Sequence, residues 1–445
     1  MRVDYGQVIC FLICVVLACP TLCAHDDDPK AISNSAGANF GLSPIGGWAS
    51  SGITLNSHLY LNEMGSLGAS NVLGNDVWGW TDSSSGREFA VVGLTNRTSF
   101  VEVTNPTAPV YLGSLKTTPG TGNRTWRDVK VYNDQAYIVA DNNGAHGMQV
   151  FDLTQLLTAN QSSTTDPHYF SPVGVYTGFE EAHNVFINED SGYAYVVGSP
   201  NVAGGGLHVL DLHGGTNGAM PKFVGNFSKD GYTHDTQVVN YIGPDSDYAG
   251  KEIAFNSNED TLTIVNVSNK AEMTQISRTG YSGSEYAHQG WLSEDQQFFF
   301  MDDELDERRA DDPIHTRTRV WDVSDLDNPI YLGSHDGTQM TIDHNLYVKG
   351  DLMFQANYTS GLRLLRINDA ATLDFEEVGY FDTYDADDNV TFNGAWSVFP
   401  YFDSGTILVN DRQNGLFVLS VVPEPGSLVV LGFSSLAWFA RRRRV

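Results

Sequence analysis

Short runs in which apolar and polar residues alternate recur along the chain. Seven of them are alike in length and each ends on a polar residue: Phe100–Thr104, Met148–Asp152, Leu207–Asp211, Leu262–Asn266, Arg319–Asp322, Leu362–Arg366 and Leu416–Ser420. Alternation with a period of two predicts half-buried β-strands, and a helical pattern is found in the short segment Thr154–Ala159. Consecutive runs end 44 to 59 residues apart, so the chain is organised as a long repeat.

Seven units, each long enough for four strands, predict an all-β fold of the seven-bladed β-propeller type. A β-solenoid is the alternative, although solenoid repeats are shorter and more uniform. The last unit ends at Val421 without an outer strand, while Leu59–Leu67 resembles the strand Val110–Leu115 and belongs to no unit. We therefore expect Leu59–Leu67 to pair with the last blade and close the ring. This places the propeller at 59–421, after an N-terminal extension at 25–58.

A polar pair precedes the first apolar strand of each unit. The pairs are Asn75-Asp76, Arg127-Asp128, His183-Asn184, His234-Asp235, His288-Gln289, His344-Asn345 and, with a weaker resemblance, Asn393-Gly394. Equivalent positions of a propeller lie at one radius and one height. Four histidines are therefore predicted to converge at one mouth of the central channel: His183, His234, His288 and His344.

The loop between the second and third strands of each blade returns to the same mouth. In the blade that carries His288 this loop is acidic, and its candidate ligand-binding residues are Asp303, Glu304, Asp306 and Glu307. Three more candidates come from the polar pairs and from the loop of another blade: Arg127, Asn345 and His146. Imidazole, carboxylate and amide groups are thus predicted to gather on one face.

Three interpretations of this mouth remain open. In the first, the side chains satisfy one another around a wet channel. In the second, two to four of the histidines bind a divalent transition metal (Zn, Cu, Fe or Mn), with Asp128 or Asp235 as ligand or supporting group, whereas the acidic loop alone would suit Ca²⁺. In the third, the face binds a glycan or peptide without metal, and tryptophans act as stacking surfaces: Trp78, Trp80, Trp126, Trp291 and Trp396.

The charge balance narrows the choice of partners. The chain carries 54 acidic and 25 basic residues, which gives a net charge of −29. Such a surface repels phosphate backbones, so nucleic acid is excluded as a partner. The sequence also has no GxSxG, HExxH, P-loop or dinucleotide-binding signature, so that no reaction class is indicated.

The first 24 residues have the composition of a targeting segment. All four cysteines lie in or beside the apolar run Val8–Ala18: Cys10, Cys14, Cys19 and Cys23. This arrangement predicts a signal peptide at 1–24, cleaved after Ala24. A lipoprotein site at Cys19 is the alternative, although Pro20 follows it directly. The mature chain then contains no cysteine, hence no disulfide and no thiol chemistry.

The C-terminal segment 422–445 has three parts in a fixed order. Pro423, Glu424 and Pro425 come first, the apolar stretch Leu428–Ala440 follows, and a basic cluster ends it: Arg441, Arg442, Arg443 and Arg444. The order resembles the PEP-CTERM sorting signal of Gram-negative bacteria. The resemblance implies an exosortase-type partner, transient anchoring in the membrane by this segment, and delivery to the outer surface or extracellular matrix.

Phrases within the repeats are similar to those of the choice-of-anchor B family of secreted LVIVD-repeat proteins. They are Trp126–Lys130, His146–Asp152, Asn258–Ile264, His288–Trp291, Asp303–Glu307, Asp343–Tyr347 and Phe392–Trp396. The resemblance implies a surface-displayed repeat protein and supplies no catalytic residue. We expect a binding or adhesion module that contacts extracellular polysaccharide or surface proteins. The alternative is a metal-dependent polysaccharide lyase or oxidase with its site at the histidine-lined mouth.

Overall fold

The seven alternating runs form the third strands of seven separate sheets, which are the blades of a β-propeller. The computed structural model describes residues 48–69, 71–121, 126–213, 220–309 and 315–422. The predicted signal peptide at 1–24 and the sorting tail from Pro423 onward lie outside these residues. Among the described residues, no helix is long and apolar enough to cross a membrane. The predicted all-β, seven-bladed fold is confirmed.

Each blade is an antiparallel sheet whose strands follow one another from the central channel outwards. Blade 1 consists of Gly74–Thr81, Glu88–Leu94, Arg97–Glu102 and Val110–Lys116, and blade 2 of Arg127–Tyr132, Gln135–Ala140, Met148–Asp152 and Gly174–Tyr176. Blade 3 consists of Asn184–Asn188, Tyr193–Val197, Leu207–Asp211 and Lys222–Phe227, and blade 4 of Asp235–Asn240, Glu252–Ser257, Thr261–Asn266 and Thr274–Gly280. Blade 5 consists of Ala287–Leu292, Phe298–Asp303, Arg317–Asp322 and Ile330–Asp336, and blade 6 of Asn345–Lys349, Leu352–Ala356, Leu362–Asp369 and Asp374–Phe381. The inner three strands of blade 7 are Ala395–Phe399, Thr406–Asp411 and Gly415–Val421.

Short additions complete the described elements. Tyr169–Phe170 pairs in parallel with the outer strand of blade 1, and Ser50–Ser51 pairs with the outer strand of blade 6. The 3₁₀ helices are Leu61–Met64, Leu153–Thr158, Ala203–Gly205, Asp306–Arg308 and Ala370–Thr372. The helical pattern at Thr154–Ala159 thus corresponds to a 3₁₀ helix one residue earlier.

The ring is closed by a strand from the N-terminal side, as predicted. Ile53–Leu59 supplies the outer strand of blade 7 by pairing antiparallel with Gly415–Val421. Around the channel each first strand contacts the first strand of the next blade, including that of blade 7 with that of blade 1. Two sheet edges that would otherwise be exposed are therefore paired.

The predicted position of the closing strand, Leu59–Leu67, was wrong. Most of that segment forms the 3₁₀ helix Leu61–Met64, in which Leu61 and Met64 are buried at a spacing of three residues. The Glu63 carboxylate accepts the backbone N–H of Tyr60 at 2.9 Å, and Gly65 has a φ of 80°. Such a left-handed residue ends the segment and is incompatible with a continuous strand. The similarity to Val110–Leu115 was therefore one of composition, not of conformation.

The core lies between neighbouring blades as well as at the channel. Phe100 of blade 1 stacks on Phe151 of blade 2 with ring centroids 4.4 Å apart, and both are fully buried. Phe255 and Phe299 make a similar contact between blades 4 and 5 at 5.6 Å. Since each blade buries one face against each neighbour, both faces of its strands are apolar, and the fold depends on a complete ring.

We expect loss of the closing strand to destabilise the whole ring. A chain that starts at Tyr60 lacks Ile53–Leu59, whereas a chain that starts at Trp48 retains it. Loss of the two buried side chains of the strand, Ile53 and Leu59, should alone cost about 3 to 6 kcal/mol. Urea unfolding compares the two chains with the full one. Equal stability of the two shortened chains would contradict closure by this strand.

Closure should also weaken as the pH falls. The His58 ring stacks on Phe417 with centroids 4.1 Å apart, its Nε2 donates to the Asn414 carbonyl at 2.7 Å, and burial lowers the pKa of His58 to about 4. The unfolded chain therefore takes up this proton first, and stability is lost as the pH falls below the ordinary histidine value of about 6.5. Between about pH 7.5 and 5 we expect a loss of up to about 2 kcal/mol from this group.

His58→Phe keeps a stacked ring and removes the titration. Urea midpoints of the two chains at both pH values measure the difference. If His58→Phe loses as much stability between the two pH values as the original chain does, His58 does not contribute to the pH dependence.

Candidate metal centre at the channel mouth

Members of six of the seven polar pairs meet at one end of the central channel, whereas Asn393-Gly394 is not among the lining residues and Trp396 takes its place in blade 7. Together they surround a cavity of about 30 Å³, which has room for a water molecule or an ion. The residues that line it are Asp76, Trp126, Arg127, Asp128, His183, Asn184, His234, Asp235, His288, His344, Asn345, Tyr347 and Trp396. All four predicted histidines are among them.

The four histidines form an arc along consecutive blades. Neighbouring ring centroids lie 4.1 Å apart for His183 and His234, 4.2 Å for His234 and His288, and 4.4 Å for His288 and His344. All four are buried. The arc exists because each histidine begins the innermost strand of its blade, and the blades follow one another around one axis.

Each imidazole ring is held in its orientation by a hydrogen bond from its Nδ1 atom. Nδ1 of His234 donates to the carbonyl of His288 at 3.0 Å, that of His288 to the carbonyl of His344 at 3.1 Å, and that of His344 to the carbonyl of Trp396 at 2.6 Å. In His183 the acceptor is the Asp141 carboxylate at 3.0 Å. Since carbonyl and carboxylate oxygens accept, the proton lies on Nδ1, and in the neutral ring Nε2 is then the acceptor and potential ligand atom.

The second residue of each pair holds the neighbouring blade. Asp76 accepts the backbone N–H of Val129 at 3.1 Å, and Asp128 accepts that of Val185 at 2.7 Å. Gln289 accepts the N–H of Leu346 at 2.9 Å in the same way. Side chains of the second residues thus connect consecutive blades around the channel, and several of them also line the mouth.

A buried cation lies below the mouth. The Lys130 ammonium is 2.6 Å from Asp128 and 3.2 Å from Asp76, and it lies 4.6 Å from the centre of the Trp78 ring. Burial raises the pKa of Asp128, and the nearby Asp76 adds to the effect. Burial works against ionisation of Asp76 too, but Lys130 brings its pKa below the ordinary value. The charges in this layer are therefore offset within the protein.

Two of the histidines meet a carboxylate. Glu304, from the acidic loop of blade 5, lies 4.0 Å from Nε2 of His288 and 3.6 Å from Nε2 of His344. One ligand atom from each of the three residues can be chosen so that all lie within 4.8 Å of one another, and all three residues are buried. Two imidazoles and one carboxylate at these distances could hold a metal ion.

The surroundings of Glu304 support that arrangement. Tyr358 donates its hydroxyl to the Glu304 carboxylate at 2.6 Å, while the Asp302 carboxylate accepts from Nδ1 of His288 at 3.2 Å. Burial lowers the pKa of His344 to about 3, so its imidazole is neutral and its Nε2 lone pair faces an acidic side chain. An imidazole Nε2 and a carboxylate at this distance could together hold a cation.

The other predicted ligand-binding acids do not reach the mouth. Asp303 accepts from the hydroxyl of Tyr281 at 2.6 Å and from the backbone N–H of Tyr286 at 2.7 Å. Asp306 forms a buried ion pair with Arg319. Burial, together with Asp343, raises the pKa of Glu307. None of the three is among the residues that line the mouth, and Arg319 pairs with Asp303 and Asp306.

Of the remaining predicted residues, Arg127, Asp235 and Asn345 line the mouth, and His146 contacts Arg127. His146 is fully buried, and its Nε2 lies 3.1 Å from the guanidinium of Arg127; burial lowers the pKa of His146 to about 3. Asp235 accepts from the side-chain amide of Asn184 at 2.8 Å, and burial raises the pKa of Asp235 to about 7. Asn345 donates to the Trp396 carbonyl at 3.1 Å.

The tryptophans do not form one surface. Trp126 and Trp396 line the histidine mouth, whereas Trp78, Trp80 and Trp291 line a larger cavity at the other end of the first strands. Successive positions along a strand advance by about 3.3 Å, so residues two to four positions beyond the polar pair are displaced toward the opposite face. The expectation of a single aromatic face was wrong.

Two contributors were missed in the sequence. Lys130 lies in the apolar first strand of blade 2, and a single lysine between acidic pairs was a usable signal for a buried ion pair. Tyr358 occupies the loop of blade 6 that corresponds to the Glu304 loop of blade 5, and alignment of these two loops would have found it.

Comparison with known proteins bears on the tail and on the fold. Residues 421–444 match the PEP-CTERM protein-sorting motif, which confirms the predicted signal for export and processing by an exosortase-type system. The match does not extend to the propeller, so membership of the choice-of-anchor B family stays a prediction. No curated protein matches the chain.

Two solved structures are similar to this chain at low identity. One is a functionally unknown protein from Desulfotomaculum acetoxidans, with 11% identity, a TM-score of 0.45, and coverage of 70% of this chain and 90% of that one. The other is a protein from Lactobacillus plantarum, with 14% identity, a TM-score of 0.46, and coverage of 76% and 88%. At these scores neither informs the function.

We expect the connection between blades 2 and 3 to fail when Asp128 is replaced. Asp128→Ala removes the acceptor of the Val185 N–H and one of the two carboxylates that hold buried Lys130. Removing one partner of a buried ion pair lowers the free energy of unfolding by about 3 to 5 kcal/mol. The matched control is Asp190→Ala in an exposed turn of blade 3, which should change stability by less than about 0.5 kcal/mol. Urea unfolding that gives equal values for both would contradict the role of Asp128.

Proposed function

We propose that this chain is an exported binding or adhesion module of the outer surface or extracellular matrix of a Gram-negative bacterium, built around a divalent transition metal. The sorting motif at 421–444 makes it an exported surface protein. The metal would be held by His288, His344 and Glu304. The observation that carries the proposal is the approach of two imidazoles and one carboxylate to within 4.8 Å in a buried setting.

The donor set favours zinc, iron, manganese or copper. Imidazole suits these ions, and a carboxylate completes a three-residue ligand set with room for a further ligand. Ca²⁺ prefers six to eight oxygen ligands, and the acidic side chains that could offer them are engaged with Arg319 and the backbone. We therefore propose no Ca²⁺ at this mouth. The bound ion would connect the second strand of blade 5 to the first strands of blades 5 and 6.

The size of the mouth supports a binding module over an enzyme. Its cavity of about 30 Å³ is far below the roughly 300 to 1,000 Å³ of pockets that hold small-molecule substrates. A metal there would stabilise the ring rather than act on a polysaccharide. A lyase or oxidase at this mouth, the alternative, would require the loops to open first.

We expect the full chain, purified without chelators, to contain about one transition-metal ion per molecule. His288→Ala, His344→Ala and Glu304→Gln should each abolish retention, because each removes one of the three ligands. Tyr358→Phe keeps the ring and removes the hydrogen bond to Glu304, and it should weaken metal affinity by about 10- to 100-fold. Elemental analysis of the dialysed proteins gives the metal content.

The matched control is His213→Ala, since His213 is an exposed imidazole whose Nδ1 pairs with Asp211. It should retain the metal in full. Metal-free protein, or retention that survives all three ligand substitutions, would leave the mouth as a polar lining without a metal.

A further inference from the structure

The opposite end of the channel opens into a cavity of about 610 Å³, which we call the aromatic bowl. This volume lies within the range of pockets that bind small molecules, about 300 to 1,000 Å³. Among the described residues, its walls carry seven aromatic side chains: Trp78, Trp80, Tyr132, Phe186, Trp291, Phe399 and Tyr401. They come from the first strands of blades 1, 2, 3, 5 and 7 and from the turn that follows the last of these strands.

The rings form a continuous wall. Trp291 lies 5.9 Å from Phe186 and 6.3 Å from Tyr401, measured between ring centroids. Tyr401 in turn lies 6.3 Å from Trp78. Trp78, Phe186, Trp291 and Tyr401 are each partly exposed, so that part of their surface faces the bowl. The wall therefore offers apolar ring surface on several sides of one cavity.

The rim of the bowl is polar and acidic. Thr81, Ser83, Asn133, Asp134 and Glu189 line the cavity and are exposed. The Asp134 carboxylate accepts from Nε1 of Trp80 at 3.0 Å, which fixes its position at the edge of the bowl and leaves it further acceptor capacity. Hydroxyl, amide and carboxylate groups thus surround a floor of aromatic rings.

The charges select against ionic ligands. An anion would meet the carboxylates of Asp134 and Glu189, while the one lysine in the wall, Lys130, is already offset by Asp76 and Asp128. The Trp78 ring already contacts the Lys130 ammonium, 4.6 Å from its centre, which leaves less of its face for the charge of a ligand cation. A ligand of this bowl is therefore neutral, with an apolar face for the rings and hydroxyls for the rim.

We propose that the aromatic bowl binds a neutral pyranose unit of an extracellular polysaccharide. A pyranose ring has an apolar C–H face that packs on an indole and a rim of hydroxyls that donate to carboxylate and amide oxygens. The proposal rests on the role of the chain as a binding module but not on the metal, since the bowl and the histidine mouth lie at opposite ends of the channel.

The test is isothermal titration calorimetry of the full chain with three neutral hexasaccharides: cellohexaose, laminarihexaose and hexa-N-acetylchitohexaose. Hexagalacturonate and choline are the charged comparisons. At least one neutral hexasaccharide should bind, and neither charged compound should. Trp291→Ala removes a wall of the bowl and should weaken binding at least about tenfold. Thr81→Trp places a bulky ring at the exposed rim, where the fold is not disturbed, and should have the same effect.

Phe223→Ala is the matched control, because Phe223 is 52% exposed on the outer strand of blade 3, away from the bowl. It should leave affinity unchanged. The proposal would be overturned if none of the neutral hexasaccharides bound, or if Thr81→Trp bound them as tightly as the original chain does. Preferential binding of choline or hexagalacturonate would also overturn it.

Repeating the titration after dialysis against EDTA separates this site from the metal. Binding that persists supports the bowl whatever the metal content of the protein. Binding that is lost with the metal but kept in Thr81→Trp would place the saccharide at the histidine mouth and overturn the proposal for the bowl alone.

Discussion

The antiparallel pairing of Ile53–Leu59 with Gly415–Val421 is the interaction on which the rest of the structure depends. Every blade buries both of its faces against its neighbours, so no blade is complete until the ring is closed. Closure places residues that are more than a hundred positions apart in the chain around a single axis. The histidine arc and the aromatic bowl are both consequences of that circular arrangement, since neither is formed by one blade alone.

The innermost strands connect the two ends of the channel. Their first residues lie at the histidine mouth, Lys130 and its carboxylates lie between the ends in blades 1 and 2, and the last residues of the strands of blades 1, 2, 3, 5 and 7 line the aromatic bowl. Lys130 and its two carboxylates separate the two ends of the channel. A metal ion at one end and a saccharide at the other would therefore bind to the same strands without sharing a contact.

Some parts of this arrangement could be predicted from the sequence and others could not. Period-two alternation and a constant interval are local signals, so the blades, their third strands and the meeting of His183, His234, His288 and His344 were predictable. The closing strand was misplaced because the apolar residues Leu61 and Met64 do not by themselves distinguish a strand from a 3₁₀ turn, and the pairing that closes the ring joins Ile53–Leu59 to residues about 360 positions away. The acids of the loop after Asp302 were misassigned for a related reason. Only the folded chain shows that Arg319 pairs with Asp303 and Asp306, whereas Glu304 lies near His344.

The central claim is that the packing of blade 6 on blade 5 brings His288, His344 and Glu304 close enough to act as one ligand set. X-ray absorption spectroscopy of the full chain loaded with zinc tests it most directly, because imidazole ligands give a characteristic scattering pattern. We expect two imidazole nitrogens at about 2.0 to 2.1 Å, with the remaining ligands being oxygen at about 2.0 to 2.2 Å. A spectrum with oxygen ligands and no imidazole would contradict it.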